Sequence, residues 1–113
     1  MKRIVPDDRL EDYPCSIVAV SCALGNIPVD SPEIRQDGYA TLQSANAYIR
    51  RNLPVKKRIN YKRGERPKLK DLNADYEAIV CVLGHFLYLD RDKYYSFFDN
   101  DNDDVVSVWI LNR

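Results

Sequence analysis

The chain has 113 residues, enough for one domain with a single core (residues 1–113) but not for a separate cofactor-binding module. No apolar run is long enough to cross a bilayer and the first residues lack the apolar core of a signal peptide, so we expect a cytoplasmic protein without membrane contacts. The formal net charge of zero conceals an uneven distribution of charge along the chain.

Two helices with start and stop signals are predicted in the first half of the chain. Residues 15–24 are apolar on nearly all sides, which is typical of a helix enclosed by protein, and Gly25 ends the run. Residues 41–52 place their apolar side chains on one face, and Pro54 stops the helix. A further short helix is predicted between them, after Ser31 and ending at Gly38.

The basic segment, residues 50–70, contains ten Lys or Arg residues against a single acidic residue, Glu65. The remainder of the chain is correspondingly acidic. The segment is therefore either a solvated loop that faces this acidic remainder or a surface that binds nucleic acid or an acidic protein. The candidate anion-binding residues are Arg50, Arg51, Lys56, Lys57, Arg58, Lys62 and Arg63.

After the basic segment the pattern changes from helical to extended. Strands are predicted over residues 78–83, 86–90, 94–98 and 105–111, with the middle two paired as a hairpin. Helices followed by antiparallel strands predict the α+β class. The length of the hairpin loop decides which side chain lies opposite His85. A three-residue loop places Asp99 there, whereas a two-residue loop places Phe98 there and turns Asp99 away.

Three residues have the chemistry of a hydrolytic site. Cys15 opens the apolar helix, His85 is the single histidine of the chain, and Asp99 follows one hairpin later. Their types and order match a thiol nucleophile, its base and the carboxylate that orients the base. A thiol reacts as the thiolate, which the unpaired N–H groups at a helix N-terminus stabilise. Asn100 is the alternative for the orienting role.

The other two cysteines, Cys22 and Cys81, lie within apolar runs and are assigned to the core. On one helix the sulfur atoms of Cys15 and Cys22 are too far apart (roughly 10 Å) to form a disulfide. No cysteine pair has the short spacing of a zinc site, so neither a metal nor an organic cofactor is predicted.

Three segments carry a resemblance to a known family: PCSIVAV (residues 14–20) as a helix opening, then GHFLYL (84–89) and YSFFD (95–99) around a short turn. Together they resemble a minimal papain-like cysteine peptidase, closest to the compact bacteriocin-processing type. The resemblance implies a buried N-terminal helix packed on a C-terminal antiparallel sheet. It also implies Cys15 as nucleophile, His85 as base and Asp99 as orienting residue. So small a version of the domain would suit a phage or other mobile element.

The chain departs from the family at one position. The family usually places a glutamine several residues before the cysteine, and its amide donates to the oxyanion, but no glutamine precedes Cys15 here. Arg9, six residues upstream, is the candidate for this role.

Two functional hypotheses follow, beside the structural one that Cys15 only fills the core. The first is thiol-dependent hydrolysis of a peptide or amide bond through an acyl-enzyme. The second is a non-catalytic interaction module that binds nucleic acid or an acidic partner through the basic segment.

Overall fold

The fold consists of helices packed on a six-stranded mixed sheet. The computed structural model describes residues 1–32, 34 and 41–113. Its elements are strand β1 (Lys2–Ile4), helix α1 (Cys15–Ala23), helix α2 (Leu42–Asn52) and strands β2 (Val55–Asn60), β3 (Glu77–Val82), β4 (His85–Asp90), β5 (Lys93–Tyr95) and β6 (Val105–Leu111). The predicted α+β class is confirmed. None of the described helices has the length and apolar character needed to cross a membrane.

Helix α1 is enclosed by protein, as its sequence predicts, because every residue from Ser16 to Ala23 is buried. A helix that is apolar all round can bury every side chain only between other elements. The main contact of α1 is with β4, and further contacts join it to β3 and α2. The contact with β4 sets where the N-terminus of α1 lies.

Helix α2 has the one-sided burial that its sequence predicts, with Ala45, Tyr48 and Ile49 facing the core. It begins after Thr41, whose Oγ1 accepts a hydrogen bond from the Ser44 N–H group (3.1 Å) and so caps the first turn. Most of the short helix predicted after Ser31 and ending at Gly38 lies outside the described residues.

The sheet has the strand order β1-β5-β4-β3-β6-β2. All neighbouring strands are antiparallel except β1 and β5, which pair in parallel. The sequence predicts β3, β4, β5 and β6 but not the edge strands β1 and β2. Strand β2 lies within the basic segment, so the prediction of a loop there is wrong for residues 55–60. Lys and Arg side chains on both edge strands discourage pairing with another chain.

Both faces of the sheet are covered. Helix-facing side chains include Ile79, Cys81 and Trp109, whereas Val80 and Leu87 face a second core on the opposite side. This second core is closed by the chain between β2 and β3, which contributes the buried side chain of Leu69 from a 3₁₀ turn at Leu69–Asp71. Burial on both faces explains why β3 reads as a continuous apolar run rather than an alternating one.

The hairpin between β4 and β5 has a two-residue loop. Asp90 pairs with Lys93 across it, and Arg91 in the loop has a φ of +57°, a backbone conformation that is uncommon for arginine. The three-residue loop that the predicted contact between His85 and Asp99 requires is therefore not formed. With the two-residue loop, Asp99 faces away from His85, and the ring of Phe98 contacts the imidazole instead.

Truncation of the sheet core tests this packing. Ile79 is fully buried at the centre of the sheet, and Ile79→Ala should lower the free energy of unfolding by about 2–5 kcal/mol, because the removed atoms leave a cavity. The matched control is Ile27→Ala, since Ile27 is 64% exposed and its truncation should change stability by at most about 0.5 kcal/mol. Urea unfolding followed by circular dichroism measures both. Equal effects at the two positions would contradict the described core.

Candidate active site

Cys15 and His85 line the same cavity, which has a volume of about 470 Å³ and is partly open to solvent. It lies where the N-terminus of α1 meets the start of β4 and the chain that follows β5. Its lining residues are Glu11, Tyr13, Cys15, Val18, His85, Phe86, Tyr95, Ser96, Phe97 and Phe98. The structure therefore brings together two of the three residues predicted to form a site.

Cys15 is the first residue of α1, and the N-cap residue Pro14 provides no side chain to cap the helix. The N–H groups of Phe86, Ser16 and Cys15 itself approach the sulfur and favour the thiolate. Burial is the larger effect, and it raises the pKa of the Cys15 thiol above its usual 9.0. The thiol is consequently neutral at physiological pH in the free protein.

The three cysteines differ in exposure as the sequence predicts. Cys22 and Cys81 are buried, and burial raises the pKa of Cys22 to about 12 and that of Cys81 to about 11. Cys15 is only partly buried. Cys15 is therefore the thiol that a reagent in solution can reach most easily.

His85 opens β4 directly after Gly84, whose φ of +76° makes the tight turn from β3 possible. Its Nε2 atom lies 3.0 Å from the Ser96 hydroxyl, and its ring meets the Phe98 ring edge-on with centroids 5.5 Å apart. Burial lowers the pKa of His85 below its usual 6.5, and the carboxylate of Asp103 partly offsets this effect. The imidazole is thus neutral at pH 7.

A chain of hydrogen bonds fixes which nitrogen of His85 carries the proton. Asn100 Nδ2 donates to the Asp103 carboxylate (2.7 Å), so Asn100 Oδ1 faces Ser96 and accepts its hydroxyl proton (2.6 Å). With that proton committed, Ser96 Oγ can only accept from His85, as it does from the Phe98 N–H group (3.1 Å). Neutral His85 is therefore protonated on Nε2, and its Nδ1 lone pair is free to act as a base.

Asp99 does not occupy the orienting position predicted for it. Its carboxylate accepts hydrogen bonds from the Tyr94 hydroxyl (3.4 Å) and from the Asp101 N–H group (3.1 Å). Ser96 contacts the imidazole instead, and Asn100, the predicted alternative, acts through Ser96. Ser96 and Asp103 were not predicted from the sequence, and a two-residue loop points to Phe98 rather than to either of them.

Arg9 does not supply the oxyanion donor that the sequence predicts. Its guanidinium forms a two-pronged ion pair with Asp7 (3.0 and 2.8 Å), its side chain is 71% exposed, and it is not part of the cavity lining. Glu11 lines the cavity instead, and a carboxylate accepts hydrogen bonds rather than replacing an amide donor. The N–H groups that approach the Cys15 sulfur are those of Phe86 and of the first two residues of α1.

The candidate anion-binding residues are spread over several elements. Arg50 and Arg51 lie in the last turn of α2, the residues at 56, 57 and 58 lie in β2, and Lys62 and Arg63 follow that strand as exposed residues. None of them lines the cavity of Cys15. Within residues 1–32, 34 and 41–113, no three His, Cys, Asp or Glu side chains are grouped as a metal site requires.

No family model, curated protein or solved structure matches the chain.

Alkylation should single out Cys15. At neutral pH we expect iodoacetamide to label Cys15 well before Cys22 and Cys81, because only Cys15 is partly exposed. The rate should keep rising from about pH 7 to about pH 9, since the pKa of its thiol lies above 9.0, and His85→Ala should slow the reaction at neutral pH. Peptide mapping by mass spectrometry measures each site. A rate that is already constant at acidic pH would contradict a neutral thiol.

The orienting residues can be tested through the single histidine. Asp103→Asn keeps a hydrogen-bond acceptor for Asn100 but removes the negative charge that favours the imidazolium, so the pKa of His85 should fall further below its usual value. Asp99→Asn is the matched control and should leave that pKa in place. A pH titration of the imidazole signals by NMR measures both. A larger effect from Asp99→Asn would restore Asp99 as the orienting residue.

Proposed function

We propose that the protein is a cysteine-dependent hydrolase of the papain-like type, cleaving a peptide or amide bond. The observation that carries the proposal is that Cys15 and His85 share one cavity, with the imidazole held by Ser96 so that Nδ1 is free. A nucleophile, a base and a group that orients the base are the parts that such chemistry needs.

The proposed reaction has two stages. The Cys15 thiol gives its proton to His85 Nδ1 as the sulfur attacks the carbonyl carbon, forming the carbon–sulfur bond. The imidazolium then protonates the leaving amine as the carbon–nitrogen bond breaks, which leaves an acyl-enzyme. In the second stage His85 takes a proton from water, and the hydroxide attacks the acyl carbon. The sulfur leaves and recovers its proton, and the acid product departs.

The oxyanion formed in each stage needs hydrogen-bond donors. The N–H groups of Cys15 and Ser16 supply them at the uncapped N-terminus of α1, where the helix dipole also favours negative charge. The family's side-chain amide has no counterpart at Arg9. Because one oxyanion donor typically contributes about a hundredfold or more in rate, we expect a slow enzyme.

Electrostatics at the site also favour slow turnover. Burial raises the pKa of Cys15 and lowers that of His85, so both effects oppose an ion pair in the free protein. Proton transfer therefore accompanies attack rather than preceding it.

The cavity supports an apolar side chain of the substrate beside the scissile bond. Aromatic rings of Tyr13, Tyr95, Phe97 and Phe98 form much of its lining, and its volume falls within the range of ligand-binding pockets.

Hydrolysis of a mixed peptide-amide library, analysed by mass spectrometry, tests the proposal. Cys15→Ala should abolish cleavage, and His85→Ala should reduce it by about a hundredfold or more, because the general base is lost. Cys22→Ser serves as the control and should retain activity, since Cys22 is a buried residue outside the cavity.

A peptide vinyl sulfone, whose electrophile reacts with nucleophilic thiols, provides the second readout. It should form an adduct at Cys15 and not at Cys22. Cleavage that survives Cys15→Ala, or the absence of both cleavage and adduct, would contradict the hydrolase and favour the non-catalytic interaction module.

A further inference from the structure

Arg50 and Arg58 hold two guanidinium groups close together where the end of α2 meets the edge strand β2. Arg50 Nε donates to Asn46 Oδ1 (3.0 Å), which also accepts from Trp109 Nε1 (2.9 Å). Arg58 Nε donates to Ser107 Oγ (3.0 Å), and its guanidinium lies 4.5 Å from the centroid of the Trp109 ring. Each guanidinium is thus anchored through Nε, and no residue in the described part of the chain accepts a hydrogen bond from its terminal N–H groups.

The two guanidinium charges of this arginine pair repel each other. Burial lowers the pKa of Arg58, and the nearby charge of Arg50 lowers it further. Among the described residues, neither guanidinium forms an ion pair with a carboxylate. Other cations of the chain do, in the pairs Arg9–Asp7, Lys68–Asp104, Arg91–Asp90 and Arg113–Glu77. A bound anion would relieve the repulsion between the two guanidinium groups.

The arginine pair lies on the same face of the sheet as Cys15. Cross-strand pairing places four residues in one row from β2 to β4, namely Asn60, Ser107, Cys81 and Phe86. The N–H group of Phe86 approaches the Cys15 sulfur at one end, and Arg58 is bonded to Ser107 two strands away. Since neighbouring strands are ~4.8 Å apart, about 10 Å separates the two positions.

Strand order also shows on which side of Cys15 the cavity and the arginine pair lie. The cavity draws its lining from β4, β5 and the chain after β5, whereas the arginine pair lies toward β6 and β2. The two features therefore flank Cys15 on opposite sides. An extended peptide advances ~3.3 Å per residue, so one that fills the cavity and passes Cys15 reaches the arginine pair about three residues later.

The geometry favours a carboxylate over a nucleic-acid base. Trp109 is fully buried with Arg58 over its ring, so it offers no face on which a base could stack. Guanidinium groups match the planar, two-oxygen geometry of a carboxylate. We propose that Arg50 and Arg58 bind an Asp or Glu side chain of the polypeptide substrate, about three residues from the bond attacked by Cys15. The identification of this polypeptide as a substrate rests on the proposed function.

Binding can be measured without turnover in the full chain carrying Cys15→Ala. The probes are a capped tetraglutamate peptide and the matched capped tetraglutamine peptide, at one fixed low salt concentration. Trp109 is the single tryptophan, so its indole N–H signal in an NMR titration reports directly on the site. We expect the signal to shift with tetraglutamate and to remain unchanged with tetraglutamine.

Three substitutions in the Cys15→Ala background locate the binding site. Arg58→Gln and Arg50→Gln should each weaken tetraglutamate binding about tenfold, because each removes charge-assisted hydrogen bonds. Arg63→Gln is the matched control: it removes the same charge from an exposed residue of the same basic segment, and it should change the affinity less than about twofold. If Arg58→Gln unfolds the chain, the exposed position Arg50 still decides the outcome.

Equal binding of the two peptides, or an equal loss for Arg63→Gln, would overturn the proposal in favour of diffuse charge attraction. Tighter binding of a single-stranded oligonucleotide that displaces tetraglutamate would overturn it in favour of nucleic acid. Failure of the hydrolase proposal would appear separately, as absence of Cys15-dependent cleavage in the unsubstituted protein. It would leave these binding results unchanged.

Discussion

The burial of α1 against β4 is the constraint on which the rest of the structure depends. Because α1 is apolar all round, it must be enclosed, and its enclosure fixes the position of its N-terminus beside the start of β4. Cys15 and His85 are the first residues of these two elements, so packing the core brings them into one cavity. The same packing has an electrostatic cost, since it withdraws both groups from water and favours their neutral forms.

Hydrogen bonds orient the imidazole that packing places in the cavity. A buried amide, Asn100, is oriented by a carboxylate on one side and dictates the direction of the Ser96 hydroxyl on the other. The imidazole of His85 is then left with one tautomer. A carboxylate touching the imidazole would stabilise its charged form strongly. In the observed arrangement Ser96 and Asn100 lie between the imidazole and Asp103, so the carboxylate stabilises the imidazolium only weakly. This suits a base that is neutral in the free protein.

The sequence predicted the parts of the structure that follow from periodicity and residue type. The enclosed helix, the amphipathic helix, the central strands and the shared location of Cys15 and His85 belong to this group. It could not predict the hairpin loop, because Arg91 carries no turn signal although it adopts a positive φ. One residue of loop length exchanges Asp99 for Phe98 beside His85. The edge strand β2 was not predicted because its charged residues interrupt the alternation of apolar and polar side chains that is typical of a strand with one solvated side.

The strand order has a consequence for how the molecule assembles. Strand β6 follows every other strand in the chain, yet it lies inside the sheet between β3 and β2. At the other end of the chain, the Arg3 guanidinium reaches the carbonyl of Phe97 and the Ile4 carbonyl accepts from the Ser96 N–H group. Closing such distant contacts is slow, and each is complete only when both of its segments are present. A chain still emerging from the ribosome without residues 105–111 therefore has a divided sheet, in which β2 has no strand to join it to β3.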